Sequence, residues 1–434
     1  MPRPLVLDGG GGLRCGRVGR FAGPPRHQMA PGSLLKDEVA TLLPGSGGQV
    51  LQLSMRRVHD LVAFCAPYEF EDVVAEVTGA DRIEIDDYPS LERARRVYKG
   101  ARLTLGFRTL ARALTPRLRG PRLTRDYDVF FPVFNHPFEL FALAAIPEWR
   151  ARCRHAACFV MEIWIQELPE YLIELLADFD HIFVSARHAV QDVSRIVGRP
   201  CTYLPLGADV FRFSPHPHPA ARSIDVCNIG RRSPVTHAAL LALARERRLF
   251  YFYDTVRSSG PGGKQVTFQV GNPAEHRIFL ANVLRRSRYY LAYRARVNEP
   301  EQTEGHEEIS GRFFEGVAAG TVLLGEPPRS PEFERLFDWP DSVVRLPFDS
   351  PDVGDILTAL DREPERMERI RRSNAREAAV RHDWVYRLET VFSALGMPST
   401  EQMRARRNQL ARLAQEYDRG EPARAGQTAP ASVP

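Results

Sequence analysis

The sequence predicts an α/β protein built from two parallel-sheet units, and two observations carry that expectation. Short apolar runs alternate with longer amphipathic segments from Leu34 onward, and the alternation restarts after Pro215. Single strands that recur between helical segments indicate a parallel sheet covered on both faces. The 434-residue length agrees with two or three domains of roughly 150 residues.

Residues 1–30 are rich in Gly, Pro and Arg without an apolar period and read as a flexible leader. The run Gly9 to Gly12 has no Lys-Ser/Thr after it and no helical pattern, so it reads as linker and not as a phosphate loop. In the first unit, residues 31–210, Val50–Leu53, Arg82–Ile85, Asp128–Phe134, Ala157–Ile163 and His181–Val184 are expected strands. Helices are expected over Leu168–Ala177 and Ala186–Val197. In the second unit, residues 211–396, strands are expected at 224–229, 249–253, 289–293, 321–324 and 343–346. Helices at 235–247, 273–285, 311–319 and 353–360 lie between or after them. Residues 397–434 read as a polar helix over 400–418, with Met403, Leu410, Leu413 and Tyr417 on one stripe, followed by a tail of disordered composition.

Apolar residues make up 44% and charged residues 26%, which excludes a wholly disordered, collagenous or coiled-coil chain. Six cysteines without a C-x-x-C pair exclude a disulfide scaffold and fit a reducing cytoplasm. Cys153, His155 and Cys158 are spaced irregularly, and no metal site is expected there. The apolar run Leu5–Leu7 stops at Asp8, too soon for a signal peptide. The longest apolar stretch, Val129–Ile146, holds Pro132, Pro137 and Glu139, which argues against a membrane span.

The net charge of +5 is unevenly spread. Residues 93–125 hold eleven cations and no acid, interleaved with Tyr98, Leu103, Phe107, Leu110 and Leu114, while the rest of the chain has 48 cations against 54 acids. Clustered cations beside apolar residues suit anionic headgroups or a phosphate-bearing acceptor, with Arg108, Arg112, Arg117 and Arg119 as the expected contacts. A solvated Arg-rich connection is the alternative. No nucleic-acid reader motif is present, and nucleic acid is not an expected partner.

The segment from Glu307 to Leu324 carries the most chemistry. Ser310 is an expected N-cap, so a helix should start at Gly311 and stop at Gly320 before a buried strand. Its N-terminus would present free N–H groups to a phosphate, and Arg312 in the first turn would add a formal charge. Glu315 lies one turn on, in a helix of Phe313, Phe314, Val317 and Ala318, and a buried carboxylate there needs a partner. A surface pair of Arg312 with Glu315 is the plain alternative.

These residues resemble the GT-B glycosyltransferases of the group-one type, including the branch similar to spore-maturation sugar transferases. Arg312-Phe-Phe-Glu315-Gly-Val-Ala-Ala-Gly320 looks like that family's R-x-F-E-x-x-A-x-G motif, and Glu307 with Glu315 matches its E-x7-E spacing. His181–Ser185, Leu204–Asp209 with Phe213 and Pro215, Val226–Arg231, and His382-Asp383-Trp384 with Arg387 follow in the family's order. The resemblance implies two Rossmann-like domains facing across a cleft, the second holding a nucleotide-diphospho-sugar. It assigns the ribose to Glu315, the sugar hydroxyls to Glu307 or its neighbour, and the diphosphate to Gly230, Arg231, Gly311 and Arg312. No cofactor or metal is implied, and configuration at the anomeric carbon is expected to be retained. The family's usual Lys five residues after the arginine of the G-R turn is Thr236 here, with Arg232, Arg257 or Lys264 as replacements. In the first unit, His136 and Glu162, each just past a strand, are the candidate catalytic groups beside Glu307, with a helix-capping or packing role as the alternative for His136. The acceptor is expected to be a glycan, a lipid-linked or a small molecule, and the location cytoplasmic, with peripheral contact to an anionic membrane. A nucleotide-sugar epimerase and a catalytically idle binding module are the alternative functions.

Overall fold

A computed structural model describes residues 39–59, 62–116, 118–146, 148–164, 170–254, 270 and 272–419. The expected leader, Arg117, Arg257, Lys264 and the tail beyond residue 419 lie outside these residues.

The first lobe contains β1 (Ala40–Leu43), β2 (Val50–Ser54), α1 (Cys65–Thr78), β3 (Asp81–Ile85), α2 (Tyr88–Leu105), α3 (Arg108–Leu114), β4 (Tyr127–Phe130), β5 (Val133–Phe134) and β6 (Cys153–Val160). It continues through α4 (Glu170–Ile173), β7 (His181–Val184), α5 (Ala189–Val197), β8 (Cys201–Tyr203) and the junction helix α6 (Val210–Phe213). The strands run β1-β3-β2-β4-β6-β7-β8, with β5 also paired to β6, and β1 is antiparallel to β3 at the edge. The expected strand over 128–134 is two strands, because Pro132 lacks the N–H that would continue one ladder.

The second lobe follows as β9 (Ile224–Asn228), α7 (Pro234–Arg245), β10 (Tyr251–Tyr253), α8 (Pro273–Arg285), β11 (Ser287–Tyr293), α9 (Pro300–Thr303), α10 (Gly311–Ala318) and β12 (Val322–Glu326). Then come α11 (Pro331–Leu336), β13 (Val344–Arg345), α12 (Val353–Asp361), α13 (Pro364–Arg381), α14 (Trp384–Ala394) and α15 (Glu401–Arg419). Its strands are all parallel in the order β10-β9-β11-β12-β13. Helices start where the sequence supplies a cap followed by Pro: Ser233 before Pro234, and Asn272, whose side chain accepts from Ala274 N–H at 2.9 Å, before Pro273.

The closing helices return to the first lobe and to the junction. Trp384 of α14 stacks on Phe70 of α1 with ring centroids 4.6 Å apart. Arg387 donates to the carbonyls of Pro205 and Leu206. In α15, Met403 and Leu410 are fully buried, Thr400 just ahead of the helix donates to the Val77 carbonyl at 2.6 Å, and Arg406 pairs with Asp209 at 2.7 Å and Asp383 at 2.8 Å. Burying each large apolar side chain contributes about 1.5–3 kcal/mol, so the polar helix expected over 400–418 is part of the core through its apolar stripe. One apolar cluster runs through both lobes by way of α1, α10 and these helices.

Candidate active site

In the second sheet the chain leaves β9 toward β10 on one side and returns to β11 on the other. Loops after β9 and β11 therefore diverge and open a crevice at their carboxyl ends. The β9 loop turns at Gly230, whose φ is +83° and whose N–H donates to both oxygens of Asp254 at 3.0 Å. A Cβ at this glycine would come within 2.5 Å of the Arg312 guanidinium, so the turn is glycine both for its backbone and to seat that side chain. Gly230 and Arg312, from opposite ends of the motif set, are thus brought together.

The three arginines of the crevice differ in their partners. Arg231 pairs with Glu299 and donates to Asn298 at 3.1 Å. Arg232 lies over the Tyr253 ring and pairs with Asp254 at 3.1 Å. Burial raises the Asp254 carboxyl, and the Gly230 N–H with Arg232 and Arg312 offsets part of that rise. Arg312 is half-buried and has no hydrogen bond or ion pair among the described residues. Thr236 does not face this crevice. It is buried, donates to the Phe348 carbonyl at 2.6 Å and accepts from Ser350 N–H at 2.8 Å, tying α7 to the loop before α12.

Helix α10 begins at Gly311, as expected, but Ser310 does not cap it. Its hydroxyl donates to the Tyr293 carbonyl at the end of β11, at 2.7 Å, leaving the first-turn N–H groups without a side-chain cap. Glu315 is buried, and its partner is Arg277 of α8 at 2.5 Å, not Arg312. The same guanidinium grips Glu69 of α1 in two bonds, 2.8 and 3.0 Å. Burial would raise Glu69, but Arg277, the Asp209 N–H and the Trp384 indole hold its carboxyl below the usual range. Sequence reasoning did not find Arg277 or Glu69, because 208 residues separate them.

Glu307 is half-buried, accepts from Arg329 N–H at 2.7 Å and lies 3.6 Å from Arg294. Its neighbour Glu308 is buried and faces the other lobe, where it holds Nδ1 of His188 at 2.7 Å. His188 follows β7, stacks on His306 at 4.3 Å and lies beside Trp164. Its Nε2 is buried with no partner among the described residues. His188 was not singled out in the sequence, although its place four residues past a parallel strand is a signal that could have found it. Glu162, at the end of β6, pairs across the lobes with Arg296 at 3.1 Å, and Arg296 lies over the Trp164 ring.

His136 takes the capping role that was the alternative to catalysis. Its Nδ1 accepts from Phe138 N–H at 3.3 Å, while Glu139 accepts from the N–H groups of Asn135 and His136, a reciprocal cap at the start of the 3-10 helix Pro137–Ala145. Burial, only partly offset by Glu162, lowers its pKa to about 4, and its Nδ1 lone pair is already used. Three cations of the basic stretch are paired within the lobe. Arg108 and Arg112 both pair with Asp178, and Arg102 pairs with Glu174 at 2.7 Å, so their charge is spent holding α2 and α3 to the lobe. Arg119 is exposed, and its carbonyl accepts from Val39 N–H. Among the described residues no group of three or more His, Cys, Asp or Glu could hold a metal ion, and no helix is long and apolar enough to cross a membrane. Two cavities, about 210 and 450 Å³, open elsewhere: one beside Arg56, Glu69 and Arg212, the other beside Arg187, Tyr203 and Arg335.

Each lobe is built on a mainly parallel sheet, and the crevice at the switch point of the second is lined by arginines and the uncapped start of α10. Residues 239–393 match the model of the family described as glycosyl transferase-like. The match includes Glu307, Arg312 and Glu315 and begins after the Gly230 turn. No curated protein matches the chain. Among solved structures it is similar to Anabaena HepE in complex with UDP-glucose, with 11% identity, a TM-score of 0.44, and coverage of 80% of this chain and 99% of that one. A Thermobaculum terrenum O-GlcNAc transferase mutant is similar at 12% identity and a TM-score of 0.37, covering 85% and 68%. TarM is similar at 9% identity and 0.38, covering 61% and 54%.

Proposed function

We propose that the protein moves a sugar from a nucleotide-diphospho-sugar to a glycan, lipid-linked or small-molecule acceptor, without a metal ion and with retention of configuration. The observation that carries the donor site is Arg312, a half-buried cation with no hydrogen bond or ion pair among the described residues, laid against the Gly230 turn at the start of α10. The departing diphosphate would be neutralised there by Arg312, by Arg231 on exchange of its Glu299 pairing, and by the uncapped N–H groups of Gly311 and Arg312, dipoles already fixed at the start of α10. Glu315 Oε1 is engaged by Arg277, so Oε2 is the oxygen left to hold a ribose hydroxyl. Glu307 and Glu308 flank the place of the transferred sugar, and His188 Nε2, oriented by Glu308, accepts a hydroxyl hydrogen bond at the meeting of the lobes.

Retention is the outcome the resemblance implies, and both candidate bases expected from the sequence are engaged, while His188 is placed as a hydroxyl acceptor. The His136 lone pair is committed to its cap, and Glu162 is paired with Arg296. A transfer led by departure of the diphosphate needs no strong base. The protein acts in the cytoplasm on this reading, with peripheral contact to an anionic membrane. Turnover in excess chelator, with the anomeric configuration of the product read by NMR, tests the proposal: loss of activity on chelation removes metal independence, and an inverted product removes retention.

A further inference from the structure

Large apolar side chains exposed in the described residues are concentrated in one place. Six of the eleven, Val97, Leu103, Leu105, Phe107, Leu110 and Leu114, lie on α2, α3 and the turn between them, with Leu103 65% and Phe107 68% exposed. The hairpin is two-sided. Leu91, Ala94, Tyr98 and Ala111 face the lobe, and Arg102, Arg108 and Arg112 reach the same way to Glu174 and Asp178. Leu110 and Leu114, four residues apart on α3, share its outer face with Phe107 just ahead of the helix. The outer side is apolar because Leu103, Phe107, Leu110 and Leu114 occupy it, while Glu174 and Asp178 are paired with the inward-facing arginines.

The charge around this shoulder has one sign. Arg93, Lys99 and Arg119 are exposed and have no acidic partner among the described residues, and no acid occurs from residue 93 to 125. Apolar side chains rimmed by unneutralised cations complement an anionic lipid surface, in which the first enter the acyl boundary while the second stay at the headgroups.

We propose that the α2–α3 hairpin docks the protein on an anionic phospholipid bilayer by inserting Leu103, Phe107, Leu110 and Leu114, with Arg93, Lys99 and Arg119 at the phosphates. This deepens the peripheral reading above and moves it from the paired Arg108 and Arg112 to other residues. Docking needs no sugar substrate, so a failed binding assay leaves the transfer reaction untouched, and a failed transfer assay leaves the docking untouched.

The test is flotation of the full chain with vesicles of phosphatidylglycerol and phosphatidylcholine in equal parts, and with phosphatidylcholine alone. The wild type is expected to float with the anionic vesicles and to stay behind with the neutral ones. The combined variant Leu103→Ser, Phe107→Ser and Leu110→Ser should lose about tenfold or more in partitioning with an unchanged melting temperature, because those side chains are exposed. Lys99→Gln with Arg93→Gln should weaken binding and its salt dependence. Arg108→Gln with Arg112→Gln should lower the melting temperature, and any fraction that stays folded should still float. Wild type that ignores anionic vesicles, or a serine variant that floats like it, overturns the proposal. So does a solution dimer that the serine variant makes monomeric, or binding that begins only after residues 1–38 are removed.

Discussion

Replacing Arg312 with Ala isolates the donor site, because among the described residues this arginine gives up no hydrogen bond or ion pair, only its longer-range attraction to Asp254. Its guanidinium has no ion pair among the described residues and rests on a glycine turn, so its removal should change folding stability by no more than about 1 kcal/mol. A charge-assisted hydrogen bond to a diphosphate contributes about 1.5–3 kcal/mol. Affinity for the preferred nucleoside diphosphate should accordingly fall by about 10- to 150-fold. Arg231 gives the internal comparison. It is already paired with Glu299, so a ligand gains only the difference between two pairings, and Arg231→Ala should cost under about 1 kcal/mol. The assay is calorimetric titration of a panel of nucleoside diphosphates into wild type and then into each variant, in the presence of chelator. Affinity of Arg312→Ala within about twofold of wild type, below roughly 0.5 kcal/mol, would refute the placement of the diphosphate. A larger loss in Arg231→Ala than in Arg312→Ala would refute the argument from free and paired cations.

Glu315→Gln should cut kcat/KM for the donor by at least about 100-fold, or roughly 2.7 kcal/mol, while the melting temperature falls only modestly because Arg277 keeps its two bonds to Glu69. Arg277→Met, by contrast, leaves two buried carboxylates unpaired and should destabilise by about 3–5 kcal/mol, read as a loss of denaturant midpoint. His188→Ala should raise the KM for donor or acceptor and leave nucleoside diphosphate affinity unchanged, since the imidazole lies on the opposite lobe from Arg312; an equal loss in both would contradict its assignment to the sugar side. His136→Asn retains a cap acceptor and should keep kcat within about threefold, whereas loss of a true catalytic base costs about 100-fold or more. The same variant has a pH signature. The folded pKa of His136, about 4, lies below its unfolded value of 6.5, so the unfolded chain binds the extra proton and wild-type stability falls as pH drops from about 6.5 to 4, by up to ~3 kcal/mol. Thermal melts at both ends of that window should show the variant losing less than wild type.

Much of the second lobe was legible because its signals are local. Pro273 after an Asn cap, Gly320 after an apolar helix and the run Thr321–Leu324 each mark an element within a few residues, and α8 spans the expected residues. In the first lobe, β1 and α1 were missed, since Ala40–Leu43 is a short edge strand and α1 carries Pro67 and buried Glu69 and Glu71 where an apolar stripe would be read. The carboxylates of α1 make sense only against distant partners, Ser54 and Arg56 for Glu71, Arg277 and Trp384 for Glu69. The site divides along the same line. Glu307, Gly311, Arg312 and Glu315 form one contiguous motif, and the Gly230 turn follows a recognisable strand. The interlobe pairs His188 with Glu308 and Glu162 with Arg296 span more than 100 residues each. No local period reports which carboxylate meets which cation, so the charge of residues 93–125 could be counted from the sequence while the pairing of Arg102, Arg108 and Arg112 with Glu174 and Asp178 could not.

The central claim, sugar transfer from a nucleotide-diphospho-sugar, is tested most directly by incubating the full chain with a panel of nucleotide-sugars and an acceptor mixture in chelator. Nucleoside diphosphate release and acceptor mass are followed together. The account predicts release that depends on acceptor, with a mass increase of one sugar residue on that acceptor, and loss of both in Arg312→Ala. Epimerised donor without acceptor, or nucleoside diphosphate binding with no turnover of any donor, would contradict it.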